Sequence, residues 1–96
     1  SRNKYFEFQK NQYKEQVIQL QNQIGQYRQM IETADQQMSY AQTLIDANLK
    51  QLPTGDIKVT DFILSINNLI NLKSELVQFE TTIYNLYNQL NNLTLQ

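Results

Sequence analysis

Apolar and small side chains recur at alternating steps of four and three residues along the first half of the chain. After Tyr13 they continue at Val17, Leu20, Ile24, Tyr27, Ile31, Ala34, Met38, Ala41 and Ile45, and at Leu52 after one polar position, Asn48. An average spacing of about 3.5 residues is typical of a helix that supercoils against a partner helix along a narrow seam. The pattern predicts one long helix over residues 4–51.

The single proline and the second glycine lie close together and predict the end of this helix. Pro53 disfavours helical geometry at the residue before it, and Gly55 can adopt a positive φ. Shortly afterwards Asp61 places a negative charge where the first turn of a new helix would stabilise it. We therefore expect a turn over residues 52–60 and a second helix over residues 61–93.

The second helix carries apolar residues on two neighbouring lines. The first line is Phe62, Ile66, Leu69, Leu76, Ile83 and Leu90, and the second is Ile63, Ile70, Val77, Tyr84 and Tyr87. One line is enough to face a hairpin partner, so the second line indicates contact with a further helix. The sequence thus predicts an all-α protein, a long antiparallel two-helix coiled-coil hairpin over residues 1–96, and a fragment of a larger chain.

Folding about Gly55 also predicts a register between the two helices. Residues that face each other should have numbers that sum to about 110, as Ile45 and Ile66 do. Two charged residues, Lys73 and Glu80, interrupt the predicted seam of the second helix, and this register places them near Asp35 and Arg28, which carry opposite charges. Such partly exposed ion pairs would select the pairing more than they would stabilise it.

Amide side chains dominate the polar positions, and several reactive residue types are missing. The 96 residues include 15 Gln and 11 Asn but no His and no Cys. The chain therefore lacks imidazole bases, thiol nucleophiles and the best zinc ligands. Asp56 and Asp61 flank the turn, but a turn position and a helix start account for them. We expect no enzyme, no catalytic residue, no cofactor and no metal site.

The charge balance bears on the partners. Eight Lys and Arg residues stand against nine Asp and Glu, and no basic block occurs. Because nucleic-acid phosphates are bound mainly through clustered cations, no nucleic-acid partner is expected. No stretch approaches the roughly 18 consecutive apolar residues of a membrane-spanning helix, so the chain is not expected to cross a bilayer as a helix.

A line of glutamines runs one position before the apolar seam of the first helix. We call Gln12, Gln16, Gln19, Gln23 and Gln26 the amide stripe. The stripe is explained equally well by a solvated helix face and by a hydrogen-bonding face that packs on another helix or lines an aqueous passage. The spacing of the glutamines does not distinguish these explanations.

The residues of the turn resemble a known family. Gly55 is followed five and six positions later by Thr60 and Asp61, a small polar and an acidic residue, and then by apolar residues 62–64. This order is similar to the hairpin tips of the outer-membrane efflux protein family, the TolC-type outer membrane factors. Similar residues also end the first helix: Ala34, Tyr40, Ala41 and Leu44. The chain departs from the usual family tip at four positions: Leu52, Pro53, Thr54 and Ser65.

The resemblance implies a role in transport. Such proteins are homotrimers whose hairpins form an α-helical barrel across the periplasm, continuous with a β-barrel in the outer membrane. Their tips dock onto a periplasmic adaptor (membrane fusion) protein in a tripartite efflux pump or a type I secretion system. By this resemblance the chain is a periplasmic hairpin of an outer membrane protein, and contact with the membrane is made only through a β-barrel outside this segment.

The resemblance also assigns roles to individual residues. The residues expected to face the adaptor are Leu52, Thr54, Gly55, Asp56, Ile57 and Lys58. Asp61 corresponds to the acidic position just inside the tip, where the family's acidic residues contribute to gating and cation preference. A role for Asp61 at the helix start is an equally good explanation.

A second function is compatible with the coiled-coil pattern, which unrelated hairpins share. The chain could be a generic structural scaffold or tether with no transport role. The full-length sequence would separate the two functions, because a channel predicts a second, internally repeated hairpin.

Overall fold

The computed structural model describes residues 2–95 and contains two long helices folded back on each other. Helix α1 spans Arg2–Gln51, helix α2 spans Val59–Thr94, and residues 52–58 join them. The hairpin measures 80 × 16 × 15 Å along its principal axes. The prediction of an all-α coiled-coil hairpin is confirmed, although each helix begins slightly earlier than the sequence pattern indicated.

The apolar seam of α1 lies against α2 over most of the length of the hairpin. Every predicted seam position from Val17 to Asn48 is buried or half-buried, and all other described residues of α1 are exposed. Ile24, Ala34, Ala41 and Ile45 are the buried ones. The spacing of 3.5 residues therefore marks the contact face correctly, because it keeps one side of a supercoiled helix turned toward its partner.

The seam of α2 differs from the prediction at two positions. Lys73 and Glu80 are exposed, and the residues just before them, Leu72 and Phe79, are half-buried. From Leu69 onward the seam follows alternating steps of three and four residues, and its members after that point are Leu72, Leu76, Phe79, Ile83, Leu86, Leu90 and Leu93. The sequence prediction followed Leu76, Ile83 and Leu90, which are seven residues apart. It therefore missed the other seam residues, which are Leu72, Phe79, Leu86 and Leu93.

The two expected ion pairs are absent among the described residues, because both α2 charges lie outside the seam. The Arg28 side chain instead donates hydrogen bonds to the Tyr87 hydroxyl, with Nε at 2.8 Å, and its guanidinium carbon lies 5.6 Å from the centre of the Tyr87 ring. Lys73 lines the same shallow groove as Asp35 without pairing with it. Hydrogen bonds from a guanidinium to a tyrosine hydroxyl thus join the helices in place of opposite charges.

The contacts between the helices agree with the predicted register. Ala41 and Ile45 pack with Leu69 in the largest buried cluster, near the turn. Farther along the hairpin, the rings of Tyr27 and Phe79 meet edge to face, with their centroids 6.0 Å apart. These contacts lie within about half a heptad of the alignment expected from the two seams.

The hydrophobic core is a thin line. Six hydrophobic residues are buried, and none of the described large side chains is completely enclosed. No polar or charged residue in the described part of the chain is buried. Two helices cannot enclose a side chain from all directions, so the hairpin gains its burial through length.

Replacing a buried seam residue by an acid tests this core. We expect Ile24→Asp to lower the free energy of unfolding by about 3 kcal/mol or more, because it places an unpaired charge at a position that is 5% exposed. Urea unfolding followed by circular dichroism measures the change. The control is Gln19→Asp on the exposed face, which should change the free energy by about 0.5 kcal/mol or less. Equal losses in the two variants would contradict the assigned contact face.

Candidate docking site at the hairpin tip

Backbone hydrogen bonds of a Schellman motif end the first helix at the tip. Gly55 has φ +77°, its N–H donates to the Leu52 carbonyl (N···O 3.2 Å), and the Asp56 N–H donates to the Gln51 carbonyl (3.2 Å). These two bonds satisfy carbonyls that the helix end would otherwise leave unpaired. Gly55 is the only described residue with a positive φ, which explains why the chain turns at this glycine.

The hydroxyl of Thr54 contacts two hydrogen-bond acceptors at the turn. The Thr54 Oγ lies 2.8 Å from the Gln51 carbonyl oxygen and 2.7 Å from an Asp56 carboxylate oxygen. A hydroxyl has one proton, so Thr54 donates to one of these acceptors at a time. When Thr54 donates to Asp56, the hydrogen bond joins two side chains of the same turn.

The second helix begins directly after the turn. Lys58 has extended backbone (φ −78°, ψ 146°), and its carbonyl accepts the first helical hydrogen bond from the Phe62 N–H at 3.1 Å. Asp61 lies in the first turn and is exposed, where its charge interacts favourably with the helix dipole. The structure thus accounts for Asp61 as a helix-start residue.

The structure brings the six predicted tip residues together but not with equal exposure. Thr54, Gly55, Asp56 and Lys58 are exposed, whereas Leu52 and Ile57 are half-buried. The exposed four present a glycine backbone, a hydroxyl, a carboxylate and an ammonium group. Such a surface can bind a protein partner through small polar contacts at close range. In the described part of the chain, no three Asp, Glu, His or Cys side chains cluster closely enough to hold a metal ion.

A second surface runs along the side of α2. We call Ile63, Ile70, Val77 and Tyr84 the apolar ladder, because they recur every seven residues. Their exposed fractions are 49%, 55%, 60% and 65%, in chain order. Tyr87, which the sequence pattern placed on the same line, is instead half-buried against Arg28. The ladder is thus an uncovered apolar seam parallel to the covered one.

A third surface lies on α1, on the opposite side of the hairpin. All five residues of the amide stripe are exposed, and their spacing continues toward the tip through Met30, Thr33, Gln37, Tyr40 and Leu44. The stripe precedes its seam by one residue, whereas the apolar ladder follows its seam by one. In antiparallel helices these offsets point to opposite sides. Along the amide stripe the two outer surfaces of the hairpin therefore differ, one apolar and the other rich in amides, whereas nearer the tip the α1 surface also exposes Met30, Tyr40 and Leu44.

The far end of α1 extends beyond α2. Thr94, the last residue of α2, lies beside Val17, so residues 2–12 have no α2 side chains opposite them. Tyr5, Phe6 and Phe8 in this extension are exposed. The predicted bounds, 4–51 and 61–93, also make the first helix the longer of the two.

The sequence pattern did not predict two of the contacts between the helices. One is the contact of Arg28 with Tyr87, and the other is a hydrogen bond between Asn48 and Ser65. Both pairs combine polar groups of unequal length, and no simple rule of opposite charge identifies them. Arg28 and Tyr87 each follow a seam residue by one position, whereas Asn48 lies in its seam and Ser65 precedes the seam residue Ile66.

Comparison with known proteins adds no family assignment. No family model, curated protein or solved structure matches the chain. Neither helix in residues 2–95 has an apolar stretch of the length and hydropathy needed to cross a membrane.

The two glycines of the chain provide a matched test of the tip. We expect Gly55→Ala to destabilise the hairpin by about 1 kcal/mol, because a side chain disfavours φ +77°. We expect Gly25→Ala to stabilise it by about 0.5–1 kcal/mol, since Gly25 lies inside α1 with nothing within 4 Å of an added Cβ. Urea unfolding of both variants measures the changes. A stabilising Gly55→Ala would show that the chain does not turn at Gly55.

Proposed function

We propose that this chain is a periplasmic hairpin of an outer-membrane channel for efflux or type I secretion, of the TolC type, and that its tip docks onto a periplasmic adaptor protein. The hairpin acts by packing and docking and carries out no chemical reaction. In the complete protein, hairpins from three subunits stand side by side around an aqueous passage.

The tip is the observation that carries this proposal. The glycine of the family-like segment is the residue with positive φ, at the outermost point of an 80 Å hairpin. The small polar and acidic residues that follow it open the return helix. A glycine at an exposed turn leaves its backbone accessible, so a partner can approach the main chain closely. This supports docking through the end of the hairpin.

The two outer surfaces support side-by-side packing of helices. The apolar ladder is a second seam on α2 that the hairpin itself leaves uncovered. Exposed apolar lines of this length mark interaction surfaces in soluble proteins. The ladder and the amide stripe differ and face opposite sides. Head-to-tail contact between unlike surfaces generates rings when the rotation closes, which suits a barrel wall.

A generic scaffold or tether is the competing function. It would use the same long seam and could also cover the apolar ladder with another helix. It would not require an exposed glycine turn that captures one specific partner. The two functions therefore differ at the tip, and the tip is where the decisive experiment belongs.

Photo-crosslinking in cells tests the docking role. A photoreactive amino acid at Thr54 or Lys58 of the intact protein should capture a periplasmic adaptor, because both side chains are exposed at the tip. The same amino acid at Gln21, exposed near the other end of the hairpin, is the matched control and should not capture it. Mass spectrometry identifies the captured protein. Crosslinks from Thr54 and Lys58 only to copies of the chain itself, or to a cytoplasmic protein, would favour the scaffold.

Charge on the apolar ladder tests the side-by-side packing. We expect Val77→Lys to impair assembly of the intact trimer, measured by native mass spectrometry, because it buries an unpaired cation between helices. The free energy of unfolding of the isolated hairpin should change by about 0.5 kcal/mol or less, because Val77 is exposed in the hairpin. Asn71→Lys, an exposed α2 position outside the ladder, is the control. Normal assembly of Val77→Lys would contradict a packed ladder.

A further inference from the structure

One polar residue interrupts the seam of the first helix. In α1 every buried or half-buried residue is apolar or aromatic except Asn48. Opposite it on α2 stands Ser65, a half-buried residue with a small hydroxyl side chain. The polar residue of one seam thus meets a polar residue of the other, close to the tip.

The two side chains are joined by a hydrogen bond in a part-buried position. The Asn48 amide nitrogen donates to the Ser65 hydroxyl at 3.4 Å, and the hydroxyl donates in turn to the Asp61 carbonyl at 3.1 Å. The pair lies beside the cluster formed by Ala41, Ile45 and Leu69, which includes Phe62 and Ile66 at its edge. An amide in this half-buried position has reduced access to water, and the apolar side chains of the cluster offer it no partner.

The apolar residues alone do not fix the alignment of the two helices. Both seams repeat every seven residues, so sliding one helix by a heptad again places apolar residues on apolar residues. Ala41, which packs with Leu69, would then face Phe62 or Leu76. Each slipped alignment moves the turn by half a heptad, about one helical turn, and changes which residues stand at the tip.

The polar pair breaks this degeneracy. In one slipped alignment Asn48 would face Leu72 and Ser65 would face Gly55. In the other, Asn48 would face Lys58 and Ser65 would face Ala41. Only in the observed alignment does each of the two polar groups meet the other.

We propose that Asn48 and Ser65 form a register lock, a polar pair whose hydrogen bond selects the one alignment of the helices that places residues 54–57 at the tip. The lock rests on the seams alone and holds for a channel or for a scaffold. Its expected signature is a trade between stability and uniqueness. A polar residue in a coiled-coil seam lowers stability while it specifies the alignment, so an apolar replacement should be at least as stable and less specific.

Disulfide trapping measures the alignment directly. The chain has no native cysteine, so an introduced pair can form one intramolecular disulfide only. Three variants share Ala41→Cys and combine it with Leu69→Cys for the observed alignment, or with Phe62→Cys or Leu76→Cys for the slipped ones. The disulfide forms only when the two Cα atoms come within about 7 Å. The pairs are equilibrated in a glutathione buffer, and non-reducing gels separate them from intermolecular products.

The lock predicts different outcomes in two backgrounds. With Asn48 and Ser65 present, the 41/69 disulfide should exceed each slipped disulfide by at least about tenfold. With Asn48→Leu and Ser65→Ala together, at least one slipped disulfide should rise to within a few-fold of the 41/69 disulfide. The urea midpoint of this double variant, measured without the cysteines, should be unchanged or higher. A single alignment in the double variant would overturn the proposal.

Two further variants keep the result interpretable. Asn71→Leu with Ser74→Ala removes an exposed asparagine and an exposed serine from the same helix and should keep a single alignment. Asn48→Ser with Ser65→Asn exchanges the two partners and should also keep a single alignment, because the hydrogen bond can still form. If the apolar double variant does not fold, the variant with exchanged partners tests the register lock in its place. Slipped disulfides in the exchanged variant would overturn the lock.

Discussion

The contact between the apolar seams of α1 and α2 is the interaction on which every other feature of the hairpin depends. It packs α1 against α2 along the hairpin, and the hydrogen bonds from Arg28 to Tyr87 and from Asn48 to Ser65 add to it. Long helices gain most of their stability in water from packing of an apolar face. Without the seam, the Schellman turn at Gly55 would join two helices that no packing contact holds side by side. The elongated shape and the position of the tip follow from the same contact.

A seam formed by only two helices leaves surfaces that a thicker protein would cover. Ile24 and Ala34 are buried because they point at the partner helix, whereas Ile70 and Val77, which point away from it, stay more than half exposed. Extending the burial requires another helix rather than a rearrangement of this pair. The difference between the apolar ladder and the amide stripe then gives the neighbours a direction. Packing of unlike surfaces is open to ring formation, and packing of identical surfaces is not.

The sequence predicted the helices, the turn and the α1 seam because each has a strong local signal. Residues from Val17 to Ile45 follow an unbroken period, and Pro53 with Gly55 ends it. The prediction failed where two interpretations of one pattern differ by a single residue, as with Lys73 and Leu72. A shift of one residue rotates a side chain by about 100° around the helix, enough to move it from the seam to solvent. The Arg28–Tyr87 contact depends on side-chain reach, which periodicity does not encode.

The tip could be located from the sequence, but which residues stand at the tip also depends on how the two helices are aligned along their seams. Gly55 permits a turn at one place, and Pro53 discourages helix beyond it, yet both act locally. Two smooth apolar seams would tolerate a slide of one heptad at the cost of rebuilding about one helical turn. A channel whose end must fit a partner requires a single alignment of the two helices, and so does a scaffold of fixed length. The Asn48–Ser65 pair lies at the edge of the core cluster nearest the tip, where any slide separates the two side chains. At this position, the hydrogen bond between Asn48 and Ser65 can determine which residues stand at the tip and meet a partner.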